Sequence, residues 1–316
     1  MGSLTKSAQI WLDLKNGKDL FEKILESNRN QSEYQYSDWL SLDVSLKEDA
    51  LFLNGISIAN DSIDEYLGIF SNTLPISNNT IALAPESSDS FISFTFTDYK
   101  NFSKNQNKFL DYSVSRDSIF SAVEEIGISD IDNEQVILLK TYGTANISDY
   151  LNSIQSNSLE YQGGEIKELR RDSILQYSFY PLVENFDPKY ATVLENTFAF
   201  SNSQETLEDF INSNKSGQTL DKTLLIENIK DLTTEESTQL SVSNSKGLNN
   251  NLNKTGLGIL SALFQKANLT DYVFGSQIVS DAGFFHTNYF IKKITASAAE
   301  QEHWKCSKHN WIRTFI

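Results

Sequence analysis

Hydrophobic and polar residues alternate along many short stretches of this chain. Alternation with a period of two, in segments rich in Phe, Ile, Val and Thr, is typical of strands that bury one face. Several of these segments come in pairs around a short polar turn, which predicts antiparallel hairpins. The predicted pairs are 39–46 with 50–58, 166–169 with 174–179, 190–194 with 196–200, and 274–279 with 284–291.

A second pattern joins an alternating strand to a polar turn and then to a stretch compatible with a short helix. The four clear copies span residues 10–25, 91–110, 136–154 and 197–211. Asn, Asp, Ser or Thr in the turn can cap the helix that follows, as Ser203 does in the last copy. The recurrence predicts an internal repeat in which the four copies share one backbone geometry.

Hairpins mixed with strand–helix units indicate the α+β class. We expect a curved, mainly antiparallel sheet, or sheets, with helices on one face. The pattern loosens near Gly163 and Gly164, which predicts two lobes, at residues 8–160 and 161–294. One continuous sheet would produce the same repetition, so both arrangements stay open.

Both ends of the chain differ from the part between them. Residues 1–7 resemble a cloning scar or short lead placed directly before the first strand, so the lack of an export signal carries no weight. Residues 295–316 hold two of the four Trp, the only Cys and two of the three His, without alternation or a helical apolar face. We interpret them as a foreign, disordered tail.

Charge narrows the possible partners. The formal net charge of −16 repels phosphate backbones and anionic lipid, so no nucleic-acid partner is predicted. No apolar run approaches the roughly 20 residues of a membrane-spanning helix. A single Cys excludes an internal disulfide.

Catalytic and metal-binding motifs are scarce. His286 alternates within a predicted strand, where a half-exposed histidine is the preferred interpretation and a general base the rival one. The acidic residues at 124–125, 130–132 and 235–236 are interpreted as solvated surface, and residues 130–134 as a polar loop before a strand, although calcium would suit the same oxygens. His303, Cys306 and His309 offer only three ligands, in the foreign tail. We predict no catalytic residue, cofactor or metal.

Several of the strand and turn segments resemble a family of uncharacterised envelope proteins of Bacteroidetes, close to the domain of unknown function DUF3352. The segments that carry the resemblance are residues 39–43, 53–56, 60–62, 90–94, 194–203 and 284–288. The resemblance implies an exported protein of the cell envelope, periplasmic or associated with the outer membrane, and a lipoprotein in its full-length form. It also implies a further C-terminal domain, which this chain does not contain, and it assigns no active site.

Two classes of function remain. The favoured one is a non-catalytic envelope module that binds a protein or a glycan through its sheet or its loops. Its candidate surface residues are Tyr34, Tyr36, Tyr177 and Tyr180, because tyrosine suits protein and sugar contacts. The alternative is a hydrolase of envelope polymers that uses carboxylates or His286.

Removal of the tail should leave the fold intact. A chain that ends at Thr295 is expected to melt within about 2 °C of the full chain, because the tail lacks the pattern of a packed element. Thermal unfolding followed by circular dichroism measures this. A drop of several degrees would show that the tail contributes to the core.

Overall fold

A computed structural model describes residues 8–17, 35–59, 65–110, 118–170, 173–255, 269–281 and 283–295. The strands are β1 (Ala8–Asp13), β2 (Trp39–Leu46), β3 (Ala50–Ile58), β4 (Ile76–Ser77), β5 (Ser90–Thr95), β6 (Val123–Ile131), β7 (Glu134–Thr141), β8 (Gln155–Tyr161), β9 (Gly164–Leu169), β10 (Tyr190–Leu194), β11 (Thr197–Ser201), β12 (Glu236–Ser237), β13 (Gln239–Ser243), β14 (Tyr272–Asp281) and β15 (Phe284–Lys293). The α-helices are α1 (Tyr99–Phe109), α2 (Ala145–Ile154), α3 (Ile174–Phe179), α4 (Gln204–Ser216), α5 (Leu224–Glu227) and α6 (Leu248–Lys254). Short 3-10 helices lie at Tyr66–Phe70, Thr80–Ala82, Ser118–Phe120, Leu220–Lys222 and Lys230–Leu232.

Thirteen of the strands form one open sheet in the order β1-β2-β3-β15-β14-β13-β5-β6-β7-β11-β10-β9-β8, and every neighbouring pair is antiparallel. The predicted α+β class with a mainly antiparallel sheet is confirmed. Three of the predicted hairpins form, as β2–β3, β10–β11 and β14–β15. The hairpin of 166–169 with 174–179 is wrong, since residues 174–179 form helix α3 and β9 pairs with β8 and β10. Leu175, Ser178 and Phe179 of α3 are buried, a spacing of three and four that fits a helix.

The central strands bury both of their faces. Along β7, the four consecutive residues Val136, Ile137, Leu138 and Leu139 are almost inaccessible to solvent. Because neighbouring residues of a strand point to opposite sides, an unbroken apolar run requires cover on both. We call the side with Ile137 and Leu139 the front face, and the side with Val136 and Leu138 the back face.

Helices therefore lie on both faces of the sheet, whereas the hairpin pattern predicts helices on one face only. On the front face, α1, α2 and α3 pack against the aliphatic and aromatic residues of β5, β6, β7 and β11. On the back face, α4 packs Leu207, Phe210 and Ile211 against Val136 and Leu138. The alternating hairpins predict only one buried side, and the run in β7 is the signal for the second.

Three of the four predicted strand–helix copies have a strand followed by a helix, namely β5 with α1, β7 with α2, and β11 with α4. Ser203 caps α4 as expected, because its side chain accepts a hydrogen bond from the Thr206 backbone N–H at 3.3 Å. The first copy begins with β1, and residues 18–25 lie outside the described part of the chain. A geometry shared by all the copies stays a prediction.

The sheet interleaves strands from both predicted lobes, because β13, β14 and β15 lie between β3 and β5. The division into 8–160 and 161–294 stays a prediction.

At the C-terminal end, the Thr295 N–H donates to Asn228 Oδ1 at 3.2 Å, and Asn228 Nδ2 donates to the Thr295 carbonyl at 3.0 Å. Residues 1–7 and 296–316 lie outside the described residues.

One buried carboxylate ties a loop to the back of the sheet. Glu125 of β6 accepts hydrogen bonds from Asn79 N at 2.9 Å, Thr80 N at 3.0 Å and Thr80 Oγ1 at 2.6 Å. Burial raises the pKa of the Glu125 carboxyl above its ordinary value of 4.5, and the hydrogen bonds and nearby Lys140 offset part of that rise. The folded chain thus holds this proton more tightly than the unfolded chain. The stabilisation from that proton is complete below pH 4.5 and is lost as the pH rises through the folded pKa.

Glu125→Ala should therefore destabilise the fold. The substitution leaves two backbone N–H groups of the 79–80 turn without their acceptor, which costs about 2–3 kcal/mol at neutral pH, and the loss should grow as the pH is lowered towards 5. Urea unfolding measures the change. The matched control is Glu124→Ala, which removes an ion pair with Lys140 at 3.6 Å and should cost less than about 1 kcal/mol. Equal losses in the two variants would contradict this account of Glu125.

Candidate functional site: a cleft on the front face

A cleft of about 740 Å³ opens on the front face of the sheet, and we call it the front cleft. Phe94 of β5, Ile128 of β6 and Ile137 of β7 line it from the sheet, and Gln135 of β7 adds an amide. These positions share the front face because Phe94 and Ile128 belong to neighbouring antiparallel strands and Ile128 lies opposite Ile137. The floor is therefore apolar and held by paired strands.

Two stacked tyrosines form one wall. The Tyr66 N–H donates to the Gln35 carbonyl at 2.8 Å and the Leu67 N–H to the Tyr36 carbonyl at 3.1 Å, which brings the two segments side by side. The rings of Tyr36 and Tyr66 then stack at 5.6 Å between centroids with 16° between their planes. Burial is the main reason why the pKa of each hydroxyl lies well above its ordinary value, so both tyrosines are neutral.

A second wall comes from helix α3 and the loop that follows it. Gln176 of α3 and the loop residues Tyr180, Glu184 and Asn185 line the cleft. The loop is fixed from below because the Leu182 N–H donates to the Phe179 carbonyl at 2.7 Å and Leu182 is itself buried. Glu184 and Asn185 are exposed at the rim, whereas Gln176 and Tyr180 are half-buried.

Helix α6 supplies the third wall. Asn250, Asn253 and Lys254 are spaced at three and four residues, so they share the helix side that lines the cleft. The opposite side carries Leu248 and Leu252, which pack on the sheet. Helix α6 thus has one apolar side against the core and one polar side towards the cleft.

Asp130 fastens this helix to the cleft floor. Its carboxylate accepts hydrogen bonds from Ser90 Oγ, from Gln135 Nε2 at 2.7 Å and from Asn250 Nδ2. Lys254 Nζ lies 3.9 Å from the same carboxylate. One anion therefore joins β5, β7 and α6, and it orients two of the amides that line the cleft.

Gly247 sets how closely α6 approaches the sheet. A Cβ atom at this position would lie 2.3 Å from the backbone oxygen of Asp89, which is shorter than any tolerated contact. Glycine is therefore required at the start of the helix, and the sequence signal for this is a glycine directly before an Asn-rich segment.

Buried polar groups adjoin the tyrosine wall. Gln239 of β13 is fully buried, and neither of its amide atoms forms a hydrogen bond of normal geometry within the described residues. The Tyr36 hydroxyl lies close to the Gln239 amide and the Tyr289 hydroxyl, but it also lacks such a bond there. Tyr289 donates instead to the Thr255 carbonyl at 2.9 Å. These groups make the interior beside the cleft more polar than an ordinary core.

The structure places two of the four predicted tyrosines in the front cleft. Tyr36 and Tyr180 both line it, on different walls. Tyr177 is 63% exposed on the outer side of α3 and is absent from the lining, and Tyr34 lies outside the described residues. Their roles in binding stay predictions. The amides of Gln135, Gln176, Asn250 and Asn253 were not predicted as site residues.

The candidates for hydrolysis lie apart from one another. His286 is half-exposed on the back face, with Nε2 3.6 Å from Asp281 Oδ2. Glu125 is buried under the 79–80 turn, and Glu235 and Glu236 are exposed in and beside β12. Of the predicted carboxylates, only Asp130 reaches the cleft region, where it serves as the anchor of α6.

The loop considered for calcium is a hairpin turn. Asp132 and Asn133 join β6 to β7, both with positive φ angles, of 46° and 71°, which is typical of a two-residue turn. Within the described ranges, no group of three or more His, Cys, Asp or Glu side chains is arranged to hold a metal ion. His303, Cys306 and His309 lie outside those ranges. No helix in the described part of the chain is long and apolar enough to cross a bilayer.

Comparison with known proteins gives only distant similarity. No protein-family model matches the sequence, and no curated protein sequence matches it. Among solved structures, crystal form I of TP0453 is similar with a TM-score of 0.38 and 11% identity, over 73% of this chain and 85% of that one. Crystal form IV of TP0453 gives a TM-score of 0.39 and 8% identity, over 72% of this chain and 95% of that one. TP0453 is an envelope protein of Treponema. Similarity at this level carries no argument about function or location, and the resemblance to DUF3352 stays a prediction.

The role of Asp130 can be tested by removing its charge. Asp130→Asn places an NH₂ group among the donors of Gln135, Asn250 and Ser90, which should cost about 1–3 kcal/mol and loosen α6. Urea unfolding and hydrogen exchange of residues 248–254 measure the two effects. The control is Asp132→Asn, because this side chain is 85% exposed and Asn tolerates the positive φ of the turn. If α6 exchanges at the wild-type rate in Asp130→Asn, the carboxylate is not its anchor.

Proposed function

We propose that this protein is a non-catalytic module of the cell envelope and that it binds its partner in the front cleft. The observation that carries the proposal is the composition of the cleft walls. They combine an apolar floor, tyrosine rings and side-chain amides from three separate elements. Recognition sites for small ligands also combine apolar side chains with convergent polar groups. The accessible part of this lining is more polar than apolar, which suits a ligand that forms several hydrogen bonds.

The size and rigidity of the cleft support the same function. A volume of about 740 Å³ falls within the range of about 300–1,000 Å³ that is usual for ligand pockets. The floor belongs to central strands, and Asp130 holds the α6 wall to it. A preformed cleft loses little conformational entropy when a ligand binds, which favours affinity.

Location in the envelope rests on the resemblance described above. The acidic chain, with a net charge of −16, agrees with a protein that meets neither nucleic acid nor an anionic lipid surface. The envelope protein or glycan expected from the sequence is the partner that we propose for the cleft.

Blocking the cleft tests this function. Labelled full-length protein is applied to an array of neutral oligosaccharides, sulfated oligosaccharides and peptides. We expect the wild type to bind at least one class and Asn253→Trp to bind it at least about tenfold more weakly, because the indole fills the space beside α6. The matched control is Asn249→Trp, four residues earlier on the same helix, exposed and absent from the cleft lining.

Several outcomes would overturn the proposal. It fails if the wild type binds nothing on the array, or if Asn253→Trp binds as well as Asn249→Trp. Cleavage of a bound oligosaccharide on prolonged incubation would establish the hydrolase alternative. Circular dichroism confirms that each variant is folded, and Gln176→Trp, on the α3 wall, replaces Asn253→Trp if the latter does not fold.

A further inference from the structure

The side-chain amides that line the front cleft differ in their hydrogen-bond partners. Gln135 and Asn250 donate their NH₂ groups to Asp130, which leaves their carbonyl oxygens as acceptors. Gln176, Asn185 and Asn253 form no side-chain hydrogen bond within the described residues. Five amides, on β7, α3, α6 and the loop after α3, therefore offer both donors and acceptors to a ligand in the cleft.

We infer that the ligand is a neutral, hydroxyl-rich glycan, an inference that rests on the proposed function and adds the chemical class of the ligand. A hydroxyl group both donates and accepts a hydrogen bond, and so does a side-chain amide, so each amide can pair with neighbouring hydroxyls in either direction. The half-buried Tyr180 ring offers a flat surface to the apolar C–H face of a sugar ring, whereas Phe94, Ile128 and Ile137 are each at most 2% exposed and support the cleft from below.

The charges of the cleft favour a neutral ligand over an ionic one. Among the described residues, its lining contains one cation, Lys254, and one anion, Glu184. Lys254 is already paired with Asp130 at 3.9 Å, so the described residues place no surplus positive charge at the cleft. The net charge of −16 repels sulfated or uronic acid-rich polymers in addition.

The strand pairing of the floor disfavours a peptide that binds by strand addition. Such binding needs an exposed strand edge with free N–H and C=O groups. Strands β5, β6 and β7 each have a neighbour on both sides, so the cleft floor has no free edge. An extended peptide would have to satisfy its backbone through the five amides alone.

Isothermal titration with array-selected oligosaccharides tests the ligand class. Neutral oligosaccharides should bind at least about tenfold more tightly than their sulfated forms, and the dissociation constant should change less than about twofold between 0.05 and 0.5 M NaCl. Asn253→Ala and Gln176→Ala should each weaken binding about three- to tenfold, the effect of one lost hydrogen bond. Asn249→Ala, outside the cleft lining, should bind as the wild type does.

The failure of this inference can be told from the failure of the proposed function. Tighter binding of the sulfated forms, or a strong salt dependence, would overturn the neutral glycan and leave the cleft as the binding site. Binding of peptides alone, abolished by Asn253→Trp, would do the same. If no ligand of any class binds in a manner sensitive to Asn253→Trp, both the inference and the proposed function fall.

Discussion

The architecture depends on the burial of the central strands on both faces. In β7, consecutive apolar residues leave no side for solvent, and an open sheet with such strands is stable only when helices cover its front and its back. Helix α4 covers the back against Val136 and Leu138, and α1, α2 and α3 cover much of the front. The front cleft lies between α3 and α6, above the buried Ile137. A binding site at that point has a floor that the whole sheet holds in place.

A polar stripe on β13 interrupts the apolar residues of the front face. Its residues Gln239, Ser241 and Ser243 lie between apolar residues of β5, such as Phe94, and of β14, such as Ile278. Ser241 Oγ pairs with Ser276 Oγ at 2.7 Å and with Asn251 Oδ1 of α6 at 3.1 Å. An apolar helix face cannot pack well against these polar side chains. A helix that lies over them therefore needs a polar side chain on its inner face, as α6 has in Asn251. The outer amides of α6 are available to the cleft.

The sequence predicts much of the fold because strand alternation and turn chemistry are local. The hairpins β2–β3 and β14–β15 could be derived in this way, and so could the cap at Ser203. Helix α3 was mistaken for a strand, since a short apolar run has no clear period and only its tertiary contacts decide its type. The order of the strands in the sheet could not be predicted, because β15 pairs with β3 across more than two hundred residues of sequence. Nothing local encodes such a pairing.

The sequence predicted only part of the candidate site, again because the contacts that define the site join residues distant in sequence. Aromatic residues drew attention to Tyr36 and Tyr180, but the amides that complete the cleft are ordinary surface residues in a chain rich in Asn and Ser. What makes Asn250 and Gln135 distinctive is their shared acceptor, Asp130, which lies 120 residues from Asn250 in sequence. A carboxylate placed there acts through the neighbours that it orients and not through its own reactivity. An amide oriented by the half-buried Asp130 carboxylate keeps its carbonyl oxygen in one direction. A ligand hydroxyl therefore meets an acceptor that folding has already ordered, so binding loses less conformational entropy. That preorganisation favours affinity for a ligand that presents a hydroxyl group at this position.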